Sequence, residues 1–113
     1  MIRSLVLTCA GLLLCLPSGR TAAHSWFSDY TTGRSEFEEC CSYNDCHTAQ
    51  SLGYPEIRKR SDGGYNVKLG NVTLRYDFPA VHVSEDSHTW ICFMGDANDY
   101  ADPLCIFLPA GMM

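Results

Sequence analysis

The histidines and the later cysteines of this chain hold most of the chemistry it could perform. His24 follows Thr21-Ala22-Ala23, a run of small residues ending an apolar N-terminal segment. Cleavage after Ala23 would make His24 the first residue of the mature protein. Its α-amine and ring Nδ1 would then chelate one ion, and an imidazole from His47, His82 or His88 would complete a planar three-nitrogen set suited to Cu(II). An α-amine titrates near ~7.8 and an imidazole near ~6.5, so both give up protons readily at neutral pH.

The cysteines fall into two groups. Cys9 and Cys15 lie in the apolar leader, while Cys40, Cys41, Cys46, Cys92 and Cys105 follow it. Five is an odd number, so two disulfides would leave one thiol over, and spacing alone does not choose the pairing. Cys92 ends one expected strand and Cys105 opens the next, which suggests a bridge closing the loop between them at a gain of roughly 3 kcal/mol. Adjacent Cys40 and Cys41 do not bridge each other readily, so one of them is expected to join Cys46 or to cross to the C-terminal half. Cys40, Cys41, Cys46 and His47 also approach zinc-ligand spacing, but in an oxidising compartment disulfides are the first expectation. There is no C-x-x-C redox pair.

Other motifs carry less. Asp96-Ala97-Asn98-Asp99-Tyr100-Ala101-Asp102 alternates oxygen donors as calcium loops do, but lacks their mid-loop Gly and terminal Glu, and reads as a solvated acidic turn. Asn71-Val72-Thr73 fits a glycosylation sequon yet sits in a tight turn. Arg58-Lys59-Arg60 reads as a solvated loop. No serine lies in a G-x-S-x-G elbow, and a catalytic site is not expected.

Residues 1–23 have the three parts of a secretory leader. Arg3 supplies the positive charge, Leu5 to Leu16 the apolar run, and Pro17-Ser18-Gly19 the break before the small residues. The apolar run is shorter than the roughly 20 residues that span a bilayer, so cleavage is expected and no membrane span should remain. Residues 24–113 then form a single small domain, periplasmic or secreted. Losing Arg3 and Arg20 leaves 6 basic and 13 acidic side chains and a formal charge of −7. That balance disfavours nucleic acid and anionic membranes; the partner is an unidentified protein or small ligand. A domain of this size needs covalent support for its core.

The elements that must position these residues are mostly strands. Tyr65, Val67 and Leu69 alternate with polar residues, as do Val72, Leu74 and Tyr76, and Gly70-Asn71 between them is the signature of a type II′ hairpin. Val81-His82-Val83 and Thr89 to Phe93 suggest a second hairpin through Ser84-Glu85-Asp86-Ser87. Leu104 to Leu108 suggests a last strand. A short helical turn fits residues 35–41 or 47–52. The expected fold is mainly β, a small disulfide-stabilised antiparallel sheet of four to five strands; the alternative is α+β with one short helix.

Two resemblances add to this reading. The terminal histidine is similar to the histidine brace of copper oxygenases and of some periplasmic copper carriers, by that residue alone. More broadly, Ala23-His24-Ser25-Trp26-Phe27, Cys40-Cys41 with Asp45-Cys46, Trp90-Ile91-Cys92 and Cys105-Ile106-Phe107-Leu108-Pro109 together resemble a group of short exported proteins of Gram-negative proteobacteria and their phages. That group has an AH-x-W-aromatic mature start and a CC-x₃₋₄-DC motif. The resemblance spans nearly the whole mature chain and implies a bacterial periplasmic or secreted protein with no assigned activity. It also implies that five cysteines are a feature of the group. The expected function is a non-enzymatic binding or accessory module. The alternative is a small copper- or zinc-binding protein using His24 and a second histidine. No cofactor is assigned; copper or zinc is the metal these residues would suit.

Overall fold

Among the described residues, seven strands form two sheets. The computed structural model describes residues 26–40, 45–96 and 100–113. In chain order the strands are β1 (Cys46–Thr48), β2 (Glu56–Lys59), β3 (Tyr65–Leu69), β4 (Val72–Tyr76), β5 (Val81–Val83), β6 (Trp90–Gly95) and β7 (Ala101–Leu108). One sheet has the order β1-β6-β7-β5 and the other β2-β3-β4. Single 3-10 turns occur at Trp26–Asp29, Phe78–Ala80 and Ala110–Met112, and no α-helix is present among the described residues. The chain is therefore a small, mainly β, disulfide-stabilised protein, as its alternation and its turn residues lead one to expect.

The β3–β4 hairpin follows directly from local sequence. Leu69 pairs with Val72 across Gly70-Asn71. Gly70 has φ +60°, which type II′ geometry requires and a side chain resists, whereas Asn71 is not left-handed. The alternation buries Tyr65, Val67, Leu69, Leu74 and Tyr76 on one face. These side chains pack with Val81, Ile91, Phe93, Ile106 and Leu108 from the four-stranded sheet in one core.

The second expected hairpin does not form. β5 does not pair with β6; it runs parallel to β7, with His82 beside Phe107, while β6 pairs β7 antiparallel. A four-residue polar loop suits a hairpin locally, but β7 already occupies that edge of β6 and β1 the other. The structure thus has two sheets in place of one, with the four strands beyond the hairpin's own sheet drawn from distant parts of the chain.

β7 is buried on both faces. Leu104 to Leu108 are all buried, and an unbroken apolar run is what such a strand requires. Its inner face meets the three-stranded sheet. Its outer face, with Cys92 and the partly buried Trp90 of β6, is covered by the segment Trp26–Cys40, in which Phe27 and Cys40 are buried. A bulge lies where Cys92 pairs Cys105 but Phe93 pairs Pro103. The extra residue, Leu104, joins Cys105 in the outer cluster, and Pro103 has no N–H that the ladder could use there.

Arg58 and Lys59 belong to β2 and are exposed, but Arg60 is not solvated as expected. Its side chain is only 14% exposed and donates to the Tyr65 carbonyl (3.1 Å), Asn66 Oδ1 (2.7 Å) and Asp77 Oδ1 (2.9 Å). It fixes the turn that feeds β3. Residues 48–53 make the one helical turn expected near there, with the Leu52 N–H donating to the Thr48 carbonyl. Residues 35–40 do not; the Thr31–Glu39 bridge makes that stretch a loop folded back on itself.

Two core tyrosines differ in a way that can be measured. The Tyr76 hydroxyl donates to the Cys92 carbonyl at 2.9 Å, whereas the buried Tyr65 hydroxyl has no hydrogen-bond partner among the described residues. A buried hydroxyl without a partner costs free energy that its removal recovers. Tyr65→Phe is therefore expected to leave stability unchanged or raise it by up to about 1 kcal/mol, and Tyr76→Phe to lower it by about 1 kcal/mol. Urea denaturation midpoints of the two variants check the contrast.

Candidate functional site

Cys46, Cys92 and Cys105 stand in one row across β1, β6 and β7: Cys46 pairs with Cys92 and Cys92 with Cys105. Residues paired across a ladder point to the same face, so three sulfurs crowd together under the covering segment. Two disulfides result. Cys46 joins Cys92 within the sheet, and Cys40 joins Cys105, tying the segment down onto it. The expected Cys92–Cys105 bridge is thus corrected. The two are neighbours, as inferred, but each sulfur has a closer partner outside the β6–β7 hairpin. Cys40 crosses to the C-terminal half, one of the two routes anticipated; Cys41 lies outside the described residues.

The covering segment is held by more than its disulfide. The Cys40 N–H donates to the Tyr30 carbonyl (2.9 Å) and the Thr32 N–H to the Glu38 carbonyl (3.0 Å). Arg34 bridges Glu38 through two nitrogens (2.9 and 3.0 Å) and reaches the Pro103 carbonyl (3.3 Å) and Asp102 (3.4 Å). The Tyr30 hydroxyl donates to Glu85 at 2.6 Å, and that bond, with some burial, raises the pKa of the phenol. Trp26, Phe27 and Tyr30 all stack against Phe107.

His82 enters this cluster from β5. Its register partner Phe107 lies on the outer face, and the two rings are 5.3 Å apart; Tyr30 lies 4.9 Å away on the same imidazole. Nε2 is 2.8 Å from the Thr31 carbonyl, which can only accept, so Nε2 carries the proton and Nδ1 keeps its lone pair. Burial pushes the imidazole below its ordinary range, and the bond to Thr31 only partly opposes this. One ring nitrogen of His82 and the sulfurs of Cys40 and Cys105 all lie within 4.8 Å of one another.

The remaining candidates are scattered. His47 sits on β1 against Phe93, 5.0 Å between rings, so it faces the inner core and not its neighbour's disulfide. This separates it from Cys40 and Cys46, whose spacing with His47 approaches that of zinc ligands but which form disulfides, as expected. His88 is in the exposed loop before β6, not on a strand face, so it does not meet His82 across a hairpin. His24 lies outside the described residues, as do three residues of the acidic loop after Gly95. Among the described residues no other trio of His, Cys, Asp or Glu comes so close.

A second feature was not legible in the sequence. Thr48, Ala49, Tyr54, Pro55, Ile57, His88 and Met112 are among the residues lining an open, mainly apolar cavity of about 560 Å³. Tyr54 (φ +57°) and Ser87 (φ +71°) are the two left-handed non-glycine residues described, and both line it. Such backbone is uncommon for a bulky side chain. At Tyr54 it is imposed by the preceding turn: Gly53 is also left-handed, and the Tyr54 N–H closes on the Ala49 carbonyl at 2.8 Å. The Tyr54 ring is left 73% exposed at the rim.

Comparison with family models, with curated proteins and with solved structures found no match.

Two measurements test the cluster. Replacing Cys40 and Cys105 together by Ala removes a tie across 65 residues of sequence; by the chain-entropy argument this lowers stability by up to about 4 kcal/mol. Limited proteolysis should then cut within residues 26–40 before the sheets. For His82, the folded pKa lies below the unfolded value near ~6.5, so the unfolded chain takes up the proton first as pH falls. The stability associated with neutral His82 is full above that value and is lost as pH drops through the folded pKa. Urea midpoints between pH 7.5 and 5 should therefore fall more for the wild type than for His82→Gln.

Proposed function

We propose that this protein is an exported, non-enzymatic binding module. The observation that carries the reading is the cavity beside β1 and β2. Its volume falls within the range of small-molecule sites, and its lining combines apolar and aromatic surface with few charges. The turn before β2 leaves the Tyr54 ring exposed at the rim of this cavity, where it can meet a ligand. Export is supported by the leader pattern of residues 1–23, by the two disulfides, and by the likeness to the group of short exported proteobacterial and phage proteins. The ligand this surface suits is a small, uncharged, largely apolar molecule.

A second reading, a small copper- or zinc-binding protein, is favoured by the proximity of His82 to two sulfurs. In its sequence-based form it also uses a mature N-terminal His24. Trp26, two residues later in the chain, packs in the aromatic cluster that receives His82.

Both readings meet direct tests. The intact mass of the protein recovered from its host should correspond to residues 24–113; a soluble cytoplasmic product retaining residues 1–23 contradicts export. A neutral apolar fluorescent dye such as N-phenyl-1-naphthylamine, together with a set of neutral aromatic fragments, should shift backbone amide resonances of residues 48–57 and 87–89. Tyr54→Ala should weaken that binding about tenfold, in line with loss of roughly 1.4 kcal/mol of contact. Shifts confined to other surfaces would contradict the assignment.

A further inference from the structure

We propose that reduction of the Cys40–Cys105 disulfide creates a zinc site made of the two thiolates and His82. The inference takes one histidine from the second reading above but needs neither His24 nor the cavity. Three independent features of the cluster support it.

The first is distance. One donor atom from each residue already lies within 4.8 Å of the others, and the Cα atoms of the two cysteines are 5.3 Å apart. Zinc holds sulfur at about 2.3 Å and imidazole nitrogen at about 2.0–2.1 Å. A sulfur and a nitrogen on one ion therefore stand at most about 4.4 Å apart and two sulfurs at most about 4.6 Å, close to the separations already present.

The second is the orientation of the imidazole. A metal-bound histidine usually donates its other N–H to a carbonyl or carboxylate, which fixes the tautomer. His82 already makes that bond, from Nε2 to the Thr31 carbonyl at 2.8 Å. The ring is also flanked by Tyr30 and Phe107. That tautomer leaves the lone pair on Nδ1 as the donor His82 would offer a metal. Thr31 acts here as a positioning residue, through its main chain alone.

The third is charge. Cys40, Cys105 and Phe107 are fully buried, and the Sγ of Cys105 is 3.4 Å from the same Thr31 carbonyl. Two thiolates in so dry a place need a compensating charge. A divalent cation makes the site neutral, and thiolate with imidazole suits zinc among the available divalent ions. Because His82 is only half-buried, the fourth position of a tetrahedral ion opens on that side.

The steps balance. An external dithiol attacks the Cys40–Cys105 bond and leaves as its own disulfide, transferring two electrons and two protons to give two thiols. Zinc then displaces both thiol protons to solvent. Disulfide and metal use the same two sulfurs, so each state excludes the other: the oxidised protein takes up no zinc here, and reoxidation expels it.

The test uses the full mature chain under anaerobic conditions, with zinc and, as a spectroscopic substitute, cobalt(II). Dithiol-reduced protein should bind one equivalent of either ion. It should show thiolate-to-cobalt charge-transfer absorption and retain zinc against a chromophoric chelator. The oxidised protein should show neither. His82→Gln should weaken zinc binding by at least about tenfold, and Cys105→Ser should remove the charge-transfer band. A chain with both Cys46→Ser and Cys92→Ser, checked for its amide spectrum, should still bind, as should His24→Ala. Equal binding by oxidised protein, an unchanged affinity in His82→Gln, or loss of binding in the folded Cys46→Ser/Cys92→Ser chain would each overturn the proposal. Loss on His24→Ala would overturn it in favour of the N-terminal site.

Discussion

The outer face of the four-stranded sheet must be covered, and the covering has almost no regular structure of its own. Phe107, Cys92 and Cys105 are fully buried there beneath residues 26–40. On its other face the same sheet packs against a second sheet, whose ladder hydrogen bonds make it a rigid partner. The segment above has only a 3-10 turn at Trp26–Asp29 and a folded-back loop closed by the Thr31–Glu39 bridge. Ordering such a stretch costs roughly 1–2 kcal/mol per residue in backbone entropy. A covalent link from Cys40 to the middle of β7 offsets part of that cost by limiting how far the unfolded segment can stray. The features of the covering segment gather around that link: the clamp of Arg34 on β7 and the stack of Trp26, Phe27 and Tyr30 on Phe107.

How much of this could be read from residue order depends on the range of the interaction. The β3–β4 hairpin was fully legible, because alternation over ten residues and a Gly-Asn turn specify it without reference to the rest of the chain. β7 was legible as a strand, and Leu104 to Leu108 even carry the unbroken apolar pattern of a strand buried twice. The partner of β5 was not. Val81-His82-Val83 and the residues after Ser87 satisfy the local rules for a hairpin equally well, and only the competition among strands for the two edges of β6 decides against it.

The candidate site shows the same division. Cys92 and Cys105 were placed side by side correctly from their positions at strand ends, yet their bonding depends on Cys46 and Cys40, which are 46 and 65 residues away from their partners. His82 was among the candidates, but its relation to sulfur depends on the parallel register that sets it beside Phe107, and no spacing rule encodes that. The cavity gave no signal at all. It is built from the end of β1, the turn before β2, the loop before β6 and the C-terminal turn, and Tyr54 is left-handed for reasons that lie in the helical turn preceding it.

The covalent tie between the covering segment and β7 is most directly tested by mapping disulfides in the mature, non-reduced protein with protease digestion and mass spectrometry under acid conditions that prevent exchange. The structure predicts linked peptides joining Cys40 to Cys105 and Cys46 to Cys92. Recovery of a Cys92–Cys105 or Cys40–Cys46 peptide as the main species would contradict it, for then no covalent tie would run from residues 26–40 to β7.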